Sequence, residues 1–417
     1  MARFEITGGQ RLSGKIKIAG NKNAVLPIMA ACLLTKGTCT LENVPNISDV
    51  EVMAQLLELC GAKIKKRGST FSVRCGKIKY ATFPTGLTEK LRASVLLLGP
   101  MLARVGKLTL GYPGGDVIGR RPLETHIQAL GALGAKIVEE NGYYSARADK
   151  IHGADIFLQE ASVTATENAI MAAVGAEGRT TIKRAASEPH VVDLCNFLAK
   201  MGARITGIGS NVLTIEGVEK LSPTSHQIAP DHIEVGTLAI LSAVTRGTIE
   251  MSPVVKDDLD MILAVLSSFG VNCKIEGNKL TVGDSKLKAV EKVVTDVWPG
   301  FPTDLMAPTI VLATQAQGVT ILHDWMYESR MFFVDKLLSM GAKVEIADPH
   351  RVLVYGPTKL RGQRLDTPDI RAGIALVIAA LAAGGKSTIE RAELIERGYE
   401  DIVERLSALG AKIKRLD

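Results

Sequence analysis

Two kinds of hydrophobic pattern alternate along the chain. In the first, apolar residues spaced three and four apart lead to a glycine and a short alternating run, as in "LSALGAKI" near the C-terminal end. This pattern predicts a surface helix, a left-handed glycine after its last turn, and then a strand. In the second, a nearly continuous apolar run such as "AGIALVIAALAAGG" precedes the alternating "KSTI". That pattern predicts a buried helix followed by a strand.

Both patterns occur six times and in phase, so the chain is an internal repeat. The glycines that follow the amphipathic helices are Gly61, Gly134, Gly202, Gly270, Gly341 and Gly410. The glycines that follow the apolar helices are Gly37, Gly106, Gly178, Gly247, Gly318 and Gly385. The repeat is roughly 70 residues long, which is longer than an ordinary solenoid unit. Each repeat is predicted to contain helix, strand, loop, helix and strand.

Six α/β units in 417 residues fit two lobes of three better than one ring. We place the boundary at Pro230, within "SHQIAPDHIE". Lobe one is then residues 22–229, and lobe two is residues 230–417 together with residues 1–21. The N-terminal segment is predicted to be one strand of about twenty residues that closes a sheet of lobe two.

Composition narrows the class of ligand. The formal charge is +6, from 50 basic and 44 acidic residues, and aromatic residues make up only 4%. These values argue against a nucleic-acid partner, and the apolar runs are too short to span a membrane. Six cysteines without a C-x-x-C pair, and a start without an apolar signal segment, favour the cytoplasm. Because no metal-binding or P-loop motif occurs, we expect neither a metal nor another cofactor. The sequence leaves the oligomeric state open, with a monomer as the working expectation.

Cations stand where the apolar helices are predicted to begin. A helix N-terminus exposes N–H groups and attracts negative charge. Asp231, Asp304 and Asp369 at these positions are explained as helix caps. Capping does not explain Lys22, Arg92 and Arg371, because a cation opposes the helix dipole there. A bound anion would account for them.

Further charged residues lie in the loops that lead into the amphipathic helices. The loop "GYPGGDVIGRRP" carries Asp116, Arg120 and Arg121, and matching loops carry Arg330 and Arg397. One interpretation is a solvated loop whose charges neutralise one another. The other is a cleft in which Arg120 or Arg121 joins the helix-start cations around a substrate with several phosphates or carboxylates. Asp116, Asp304 and Asp369 would then supply acid–base chemistry.

The strings "NKNAVLP", "LRAS", "PGGDVIGRRPLETHI", "FPTD", "ESR", "DIRAG" and "RGYE" occur in this order. With them, essentially the whole chain resembles the enolpyruvyl transferases. The resemblance implies an inside-out α/β barrel of two lobes, each with three repeats, and substrates bound between the lobes. It also implies a reaction in which phosphoenolpyruvate donates its enolpyruvyl group to the 3′-hydroxyl of UDP-N-acetylglucosamine, the first committed step of peptidoglycan synthesis.

The resemblance also implies roles for individual residues. Lys22, Arg121 and Arg397 would hold phosphoenolpyruvate, with Arg92, Arg330 and Arg371 in the same electrostatic field. Asp304 would be the base on the sugar hydroxyl, and Asp369 would transfer a proton or hold Lys22. The UDP-sugar would contact residues from several segments, namely Asn23, Arg92, Arg121, Pro122, Leu123, Ser162, Val163, Asp304 and Met326.

One position departs from the family pattern. Most enolpyruvyl transferases have a cysteine where this chain has Asp116. By resemblance, the residue there protonates the donor methylene or assists the departure of phosphate. With a carboxyl in its place, the thiol-alkylating phosphonate fosfomycin is expected not to inactivate the protein.

Two other functions remain open at this point. One is the sister reaction, in which shikimate 3-phosphate is the acceptor. The other is a paralogue that binds the UDP-sugar or phosphoenolpyruvate without turnover. The lid-like loop at residues 112–122 favours the UDP-sugar acceptor, and the joint presence of Lys22, Asp304 and Arg397 argues against a protein that only binds.

Overall fold

The structure, a computed structural model, describes residues 2–79 and 81–417. The α-helices in this part of the chain are α1 (Lys22–Ala31), α2 (Ser48–Leu59), α3 (Thr85–Thr88), α4 (Leu98–Val105), α5 (Glu124–Ala132), α6 (Val163–Ala173), α7 (Pro189–Lys200), α8 (His232–Val244), α9 (Asp260–Ser268), α10 (Met306–Gln315), α11 (Val334–Ser339), α12 (Ile370–Ala382) and α13 (Ile402–Ala408). Short 3-10 helices lie at Cys32–Leu34, Arg92–Leu97, Lys256–Asp258, Thr303–Leu305 and Ala392–Leu394.

The first twelve strands are β1 (Arg3–Thr7), β2 (Ser13–Lys17), β3 (Thr38–Glu42), β4 (Lys63–Arg67), β5 (Thr70–Arg74), β6 (Thr82–Phe83), β7 (Lys107–Gly111), β8 (Lys136–Glu140), β9 (Tyr143–Arg147), β10 (Asp155–Phe157), β11 (Arg179–Lys183) and β12 (Arg204–Thr206). The remaining strands are β13 (Val212–Glu216), β14 (Ser225–Gln227), β15 (Thr248–Ser252), β16 (Asn272–Glu276), β17 (Lys279–Gly283), β18 (Lys292–Val294), β19 (Gly318–His323), β20 (Lys343–Asp348), β21 (Arg351–Gly356), β22 (Arg364–Asp366), β23 (Lys386–Glu390) and β24 (Lys412–Leu416).

These elements form two compact units. Unit 1 contains the N-terminal residues up to Ala19, the short segment Asp116–Arg120, and Pro230–Asp417. Unit 2 contains Gly20–Gly115 and Arg121–Ala229. Each unit has its own hydrophobic core, because the buried apolar residues separate into one cluster for each.

Unit 2 contains three four-stranded sheets. Their strand orders are β14-β3-β5-β4, β6-β7-β9-β8 and β10-β11-β13-β12. In each sheet the first pair of strands is parallel and the other two pairs are antiparallel. The strands bury alternate residues, as β3 does with Cys39 and Leu41. The sheets therefore have one face on the core and one face on the outside. Helices α1 and α6 are buried along most of their length, as expected of helices that are apolar all round.

Unit 1 repeats this arrangement. Its sheets have the strand orders β16-β17-β15-β2, β18-β19-β21-β20 and β22-β23-β1-β24. Every residue of α8 is buried, and so is every residue of α12 except Ala382. Helices α8, α10 and α12 contact one another inside the unit. Each unit thus has helices inside and sheets outside, which confirms the predicted inside-out α/β class.

The structure corrects two of the predicted elements. The repeats contain more strands than predicted. A hairpin, such as β4 and β5, follows the amphipathic helix where one strand was predicted. A short parallel strand, such as β6 or β10, then follows most of these hairpins. The N-terminal segment is two strands and not one. β1 pairs with β23 and β24, whereas β2 pairs with β15 in a different sheet of unit 1.

The predicted glycine positions after the amphipathic helices are confirmed. All six have positive φ, from +79° at Gly270 to +107° at Gly61. A side chain is disfavoured in that region, so glycine lets the chain turn sharply from helix into strand. The second glycine series is less uniform. Gly247, for example, is required by close packing, because a Cβ atom there would lie 1.7 Å from the carbonyl oxygen of Leu12.

Candidate active site

A carboxylate bound by two buried guanidinium groups lies at the start of α10 in unit 1. Asp304 sits in the 3-10 turn Thr303–Leu305, which leads into the helix. Its Oδ2 accepts hydrogen bonds from Nε and Nη2 of Arg371, at 2.9 and 2.7 Å. Its Oδ1 lies 3.3 Å from Nη2 of Arg330. Both arginine side chains are at most 5% exposed, whereas Asp304 is 25% exposed. The carboxylate therefore remains accessible while its partners are fixed.

Other buried groups hold these arginines in place. Nη1 of Arg371 donates to the hydroxyl of Tyr399 at 3.0 Å, and that hydroxyl lies 3.2 Å from Thr237 Oγ1. Asp324 is fully buried, and its Oδ2 is 4.0 Å from Nε of Arg330. Burial, the largest single influence, acts to lower the pKa of both arginines, but the surrounding carboxylates, led by Asp304, and a nearby tyrosine together outweigh it, so the pKa of each is raised. Both arginines are permanent cations.

Asp231 and Asp369 cap helices of unit 1, as predicted. Asp231 accepts from the backbone N–H groups of Ile233 and Glu234 at the start of α8. Asp369 accepts from the N–H groups of Arg371 and Ala372 at the start of α12, at 2.8 and 3.0 Å. The prediction was wrong for Asp304, because it lies inside the 3-10 turn, and the cap positions there are Pro302 and Leu305. The Asp304 carboxylate pairs with Arg330 and Arg371 instead of capping a helix.

Asp369 has an unusual environment for a cap. Burial raises its pKa, although the guanidinium of Arg330 and the two helix N–H groups act in the opposite direction. The negative charge of Asp116 also contributes to the rise. Asp369 thus takes up a proton more readily than an exposed aspartate does.

The segment Asp116–Arg120 brings an acid into unit 1. Oδ1 of Asp116 is 3.0 Å from Nη1 of Arg397, and both side chains are less than 20% exposed. The N–H of Ser329 donates to the carbonyl of Ile118 at 3.1 Å, and the N–H of Arg120 donates to the Glu328 carboxylate at 3.3 Å. The segment is therefore attached to unit 1 both by an ion pair and by backbone hydrogen bonds.

Lys22 opens α1 in unit 2. The helix is capped by Asn21, whose side chain accepts from the N–H groups of Asn23 and Ala24. Nζ of Lys22 lies 2.9 Å from Oδ2 of Asp49, and both side chains are nearly buried. A carboxylate thus neutralises a cation that the helix dipole disfavours. Asn23 follows directly, half-buried on the same turn.

Arg92 and Arg121 lie side by side in unit 2. Nη2 of Arg92 donates to the carbonyl oxygen of Arg121 at 2.5 Å. Gly115 fits tightly between them, because a Cβ atom there would lie 2.7 Å from Cβ of Arg92 and 3.2 Å from Nη1 of Arg121. The sequence left open whether Arg120 or Arg121 belongs to the cation set. The structure places Arg121 beside Arg92, whereas the side chain of Arg120 is exposed.

The segments predicted to hold the nucleotide meet at the starts of α5 and α6. Pro122 and Leu123 precede α5, while Ser162 and Val163 stand at the start of α6. Side chains near these two helix starts join the segments. His126 Nε2 lies 2.9 Å from Thr164 Oγ1, and Thr125 Oγ1 donates to the Glu160 carboxylate at 3.3 Å. Met326 belongs to unit 1, where its N–H donates to Asp324.

Sequence reasoning missed several residues of this site. Asp49, Asp324 and Tyr399 all contact or face a predicted cation, and Glu328 holds the segment at Asp116. Tyr399 lies in the motif "RGYE" and Glu328 in the motif "ESR". Because both motifs contain a predicted cation, membership of the motif could have identified these two residues. Asp49 and Asp324 carried no comparable signal, because a buried acid within an amphipathic helix or a loop has no distinctive spacing.

Two further properties concern ligands. In the part of the chain that the structure describes, no helix is long and apolar enough to cross a membrane. Within residues 2–79 and 81–417, no group of three histidine, cysteine or acidic side chains is placed to hold a metal ion.

The chain is similar to known proteins over almost its whole length. The family model for EPSP synthase (3-phosphoshikimate 1-carboxyvinyltransferase) matches residues 6–406. The UDP-N-acetylglucosamine 1-carboxyvinyltransferase of Treponema denticola is 49% identical and covers 99% of both chains. The protein of the same name from Bradyrhizobium diazoefficiens is 48% identical, covering 99% of this chain and 98% of its own.

Solved structures share the fold. The enolpyruvyl transferase NikO from Streptomyces tendae superposes with a TM-score of 0.90 at 25% identity, over 99% of this chain and 98% of its own. EPSP synthase from Acinetobacter baumannii superposes with a TM-score of 0.77 at 18% identity, over the full length of both chains. The second likeness concerns the fold alone.

Proposed function

Because the chain belongs to the enolpyruvyl transferase family, among the UDP-N-acetylglucosamine 1-carboxyvinyltransferases, we propose that it transfers the enolpyruvyl group of phosphoenolpyruvate to the 3′-hydroxyl of UDP-N-acetylglucosamine. Phosphate is the second product. The enol ether so formed would be the first committed precursor of peptidoglycan, made in the cytoplasm where both substrates are available.

One observation carries the proposal, namely the identity of 44–49% to proteins named for this reaction over almost the whole chain. The sister reaction with shikimate 3-phosphate is less well supported, since the EPSP synthase structure is only 18% identical. Asp304 lies between two buried arginines, and Asp116 is paired with Arg397 in the same unit. These carboxylates are candidates for acid–base catalysis, which a protein that only binds its substrates would not need.

The reaction has two steps. The 3′-oxygen bonds to C2 of the donor while its proton leaves to a base, and C3 of the donor takes up a proton and becomes a methyl group. The tetrahedral intermediate then loses phosphate from C2, and the methyl group gives up a proton to restore the double bond. Neither step needs an oxidant or reductant, so residues that move protons and stabilise charge suffice.

The cations would hold the donor, which carries a phosphate and a carboxylate. Lys22, Arg121 and Arg397 are the proposed direct ligands, because arginine and lysine form strong charge-assisted hydrogen bonds to both groups. Arg92 would position Arg121 through the 2.5 Å hydrogen bond to its carbonyl oxygen. Asp49 would keep Lys22 extended in its near-buried place. Arg330 and Arg371 would add to the positive field around the reacting atoms.

Asp304 is the proposed base for the 3′-hydroxyl. Its carboxylate is 25% exposed and is held in one orientation by Arg371 and Arg330. The two guanidinium groups fix its oxygens while part of the carboxylate stays exposed, so it is placed to accept a hydrogen bond from an incoming hydroxyl. Asp369 would take part in the second proton transfer, since burial raises its pKa and favours a protonated carboxyl.

Asp116 is the proposed acid for the donor methylene. In the structure its carboxylate is paired with Arg397. A doubly anionic donor would compete for the same guanidinium, which would release Asp116 to take up a proton. The segment that carries it is already attached to unit 1 by Glu328 and Ser329.

The UDP-sugar would lie along the starts of α5 and α6 in unit 2. Pro122, Leu123, Ser162 and Val163 stand at these two helix starts, where backbone N–H groups and the positive helix ends favour a diphosphate. Asn23 and Met326 complete the proposed set of sugar and nucleotide contacts.

The test is phosphate release from phosphoenolpyruvate, measured with UDP-N-acetylglucosamine and separately with shikimate 3-phosphate. We expect turnover with the first acceptor only. Asp304→Asn is expected to lower kcat by about a hundredfold or more, as loss of a general base does. Asp335→Asn, which removes an exposed carboxylate paired with Lys336, is the matched control and should retain full activity. Release with shikimate 3-phosphate alone, or with neither acceptor, would refute the proposal.

A further inference from the structure

Unit 2 contains a cavity that none of the proposed active-site residues lines. It has a volume of about 480 Å³ and lies on the sheet β6-β7-β9-β8. Leu108 and Ala146 on this sheet are buried in the core, so Lys107, Thr109 and Ser145, which alternate with them, are on the outer face. We call this cavity the outer cleft. Its size is within the range of about 300–1,000 Å³ of small-molecule sites.

The strand register arranges the outer face in rows. One row consists of hydroxyl groups, because Thr82 pairs with Thr109 and Thr109 pairs with Ser145. The next row consists of cations, because Arg147 lies opposite Lys107 on one side and opposite Lys136 on the other. Cross-strand partners stand close enough to interact directly. Hydroxyl and cationic donors therefore face the same space.

The cations that line the outer cleft have no carboxylate partner among the residues that the structure describes. Among the described residues that line the outer cleft, Lys79, Lys107 and Arg147 are charged and none is acidic. Within residues 2–79 and 81–417, none of these three makes an ion pair with a carboxylate. Like charges directly opposite each other destabilise a sheet. The row of Lys107, Arg147 and Lys136 thus carries a cost that a bound anion would reduce.

The neighbouring sheet of unit 2 shows that the fold does not require this cost. In β10-β11-β13-β12, the position that corresponds to Arg147 is Glu216, which lies opposite Arg179 and Arg204. The Arg179–Glu216 distance is 3.7 Å. Unit 1 has a similar arrangement, in which Glu250 faces Lys15 and Lys279. A glutamate therefore neutralises the cations in these two sheets but not in the outer cleft. The third sheet of unit 2 has Arg74 at the corresponding position, opposite Lys63 and Thr38, so its row contains two cations where the row of the outer cleft contains three.

We propose that the outer cleft is a second binding site, for a small organic phosphate. The phosphate would supply the negative charge that Glu216 supplies in the neighbouring sheet, and it would be held by Lys79, Lys107 and Arg147. The hydroxyl groups of Thr109 and Ser145 would donate to its remaining oxygens.

The organic part has room beside the phosphate. A larger cavity of about 920 Å³ shares Lys107 and Arg147 with the outer cleft. Two of its other charged residues, Lys150 and Glu177, already form an ion pair with each other. Its lining also includes the carboxylates of Asp149 and Glu219, which would repel a phosphate, so this second cavity is the place for the organic part and the outer cleft is the place for the phosphate.

The test is calorimetric titration at low ionic strength with sodium pyrophosphate and with ADP. Arg147→Glu copies the arrangement at Glu216 and should weaken one binding event at least tenfold. Lys412→Glu changes the charge equally on the exposed end of β24 in unit 1 and should leave that binding within twofold of wild type. In transferase assays without added ligand, Arg147→Glu should keep kcat/KM within twofold.

Thermal unfolding supplies an independent readout. Without ligand, Arg147→Glu should melt at a higher temperature than wild type, because it relieves the repulsion within the row. Pyrophosphate should raise the wild-type melting temperature more than that of Arg147→Glu. Equal affinity in wild type and Arg147→Glu would overturn the inference, and so would an equal loss in Lys412→Glu, which would indicate a diffuse charge effect. These outcomes do not depend on whether the proposed transferase activity is found.

Discussion

At the residue scale, the candidate site is a set of buried charges that depend on one another. Removing one partner from a buried ion pair is costly, because the other charge is then left in a low-dielectric environment. Arg371 is held from two sides, by Asp304 and by the hydroxyl of Tyr399. The position of the Asp304 carboxylate, the proposed base, thus depends on a tyrosine that need not touch the substrate.

Tyr399→Phe tests this positioning role. The change removes only the hydroxyl that accepts from Arg371, and a hydrogen bond to a charged group contributes about 1.5–3 kcal/mol. We expect kcat/KM to fall about tenfold, with most of the loss in kcat. Tyr355→Phe removes a hydroxyl that contacts Glu345 on an exposed strand and serves as the control. Equal kinetics in the two variants would show that Tyr399 does not position Arg371.

The acid at position 116 leads to a second prediction. Fosfomycin alkylates a thiolate, and a carboxylate bound to Arg397 is a much weaker nucleophile. Intact-mass measurement after incubation with fosfomycin and the UDP-sugar should show no adduct on wild type. Asp116→Cys should acquire one adduct and lose activity. An adduct on wild type would mean that the chemistry at this loop differs from the one proposed.

At the element scale, the loops and helix starts were partly readable from sequence. The repeat placed Lys22, Arg92 and Arg371 at helix starts, and the structure confirms these positions, although Arg92 begins a 3-10 helix ahead of α4. Strand pairing across long sequence distances was not readable. β14 completes a sheet with β3, for instance, because three residues carry too little pattern to identify a partner.

Gly119 determines how the segment at Asp116 fits against its neighbour. It has φ +133°, a region that disfavours any side chain, and a Cβ atom there would lie 2.2 Å from the carboxylate end of Glu328 and 3.1 Å from the backbone nitrogen of the same residue. Gly119→Ala should therefore displace the segment and lower kcat/KM at least tenfold, with a thermal midpoint close to wild type. Gly142→Ala is the control, because Gly142 has φ +81° but open space around it. That variant should lose about 1 kcal/mol of stability and keep its activity. The reverse pattern would contradict this account of the loop.

At the scale of the whole molecule, each unit contains a buried histidine that stays neutral. Burial lowers the pKa of His126 in unit 2 to about 3, and the charge of Arg92 contributes. Burial lowers the pKa of His232 in unit 1 to about 4. Since an unfolded histidine has a pKa near 6.5, the unfolded chain binds protons that the folded chain does not. Acid should therefore destabilise both units.

The expected result is a loss of unfolding free energy as the pH falls from about 7 toward 4. Each buried histidine contributes a slope of up to about 1.4 kcal/mol per pH unit below 6.5. Urea unfolding at several pH values measures this slope, and His126→Gln or His232→Gln should each reduce it. His152→Gln, at an exposed histidine, should leave it unchanged. If none of these variants changes the slope, groups other than His126 and His232 cause the acid sensitivity.

The repeats in the sequence predicted six α/β units and favoured two lobes of three over one ring, whereas the inside-out barrel was implied by the resemblance to the enolpyruvyl transferases. The sequence predicted only some of the contacts between residues within a unit. The pair Asp116–Arg397 joins residues 281 positions apart, and Lys22–Asp49 joins a helix start to a different helix. Such pairs arise from three-dimensional packing, which the spacing along one chain does not encode.

The central claim is enolpyruvyl transfer by addition and elimination, and proton NMR of the reaction in D₂O tests it most directly. The donor methylene becomes a methyl group in the intermediate and then loses a hydrogen. The account therefore predicts a UDP-N-acetylglucosamine product with an enol ether on the 3′-oxygen and deuterium in its vinyl group. Formation of no enol ether, or of one whose vinyl group contains no deuterium, would contradict it.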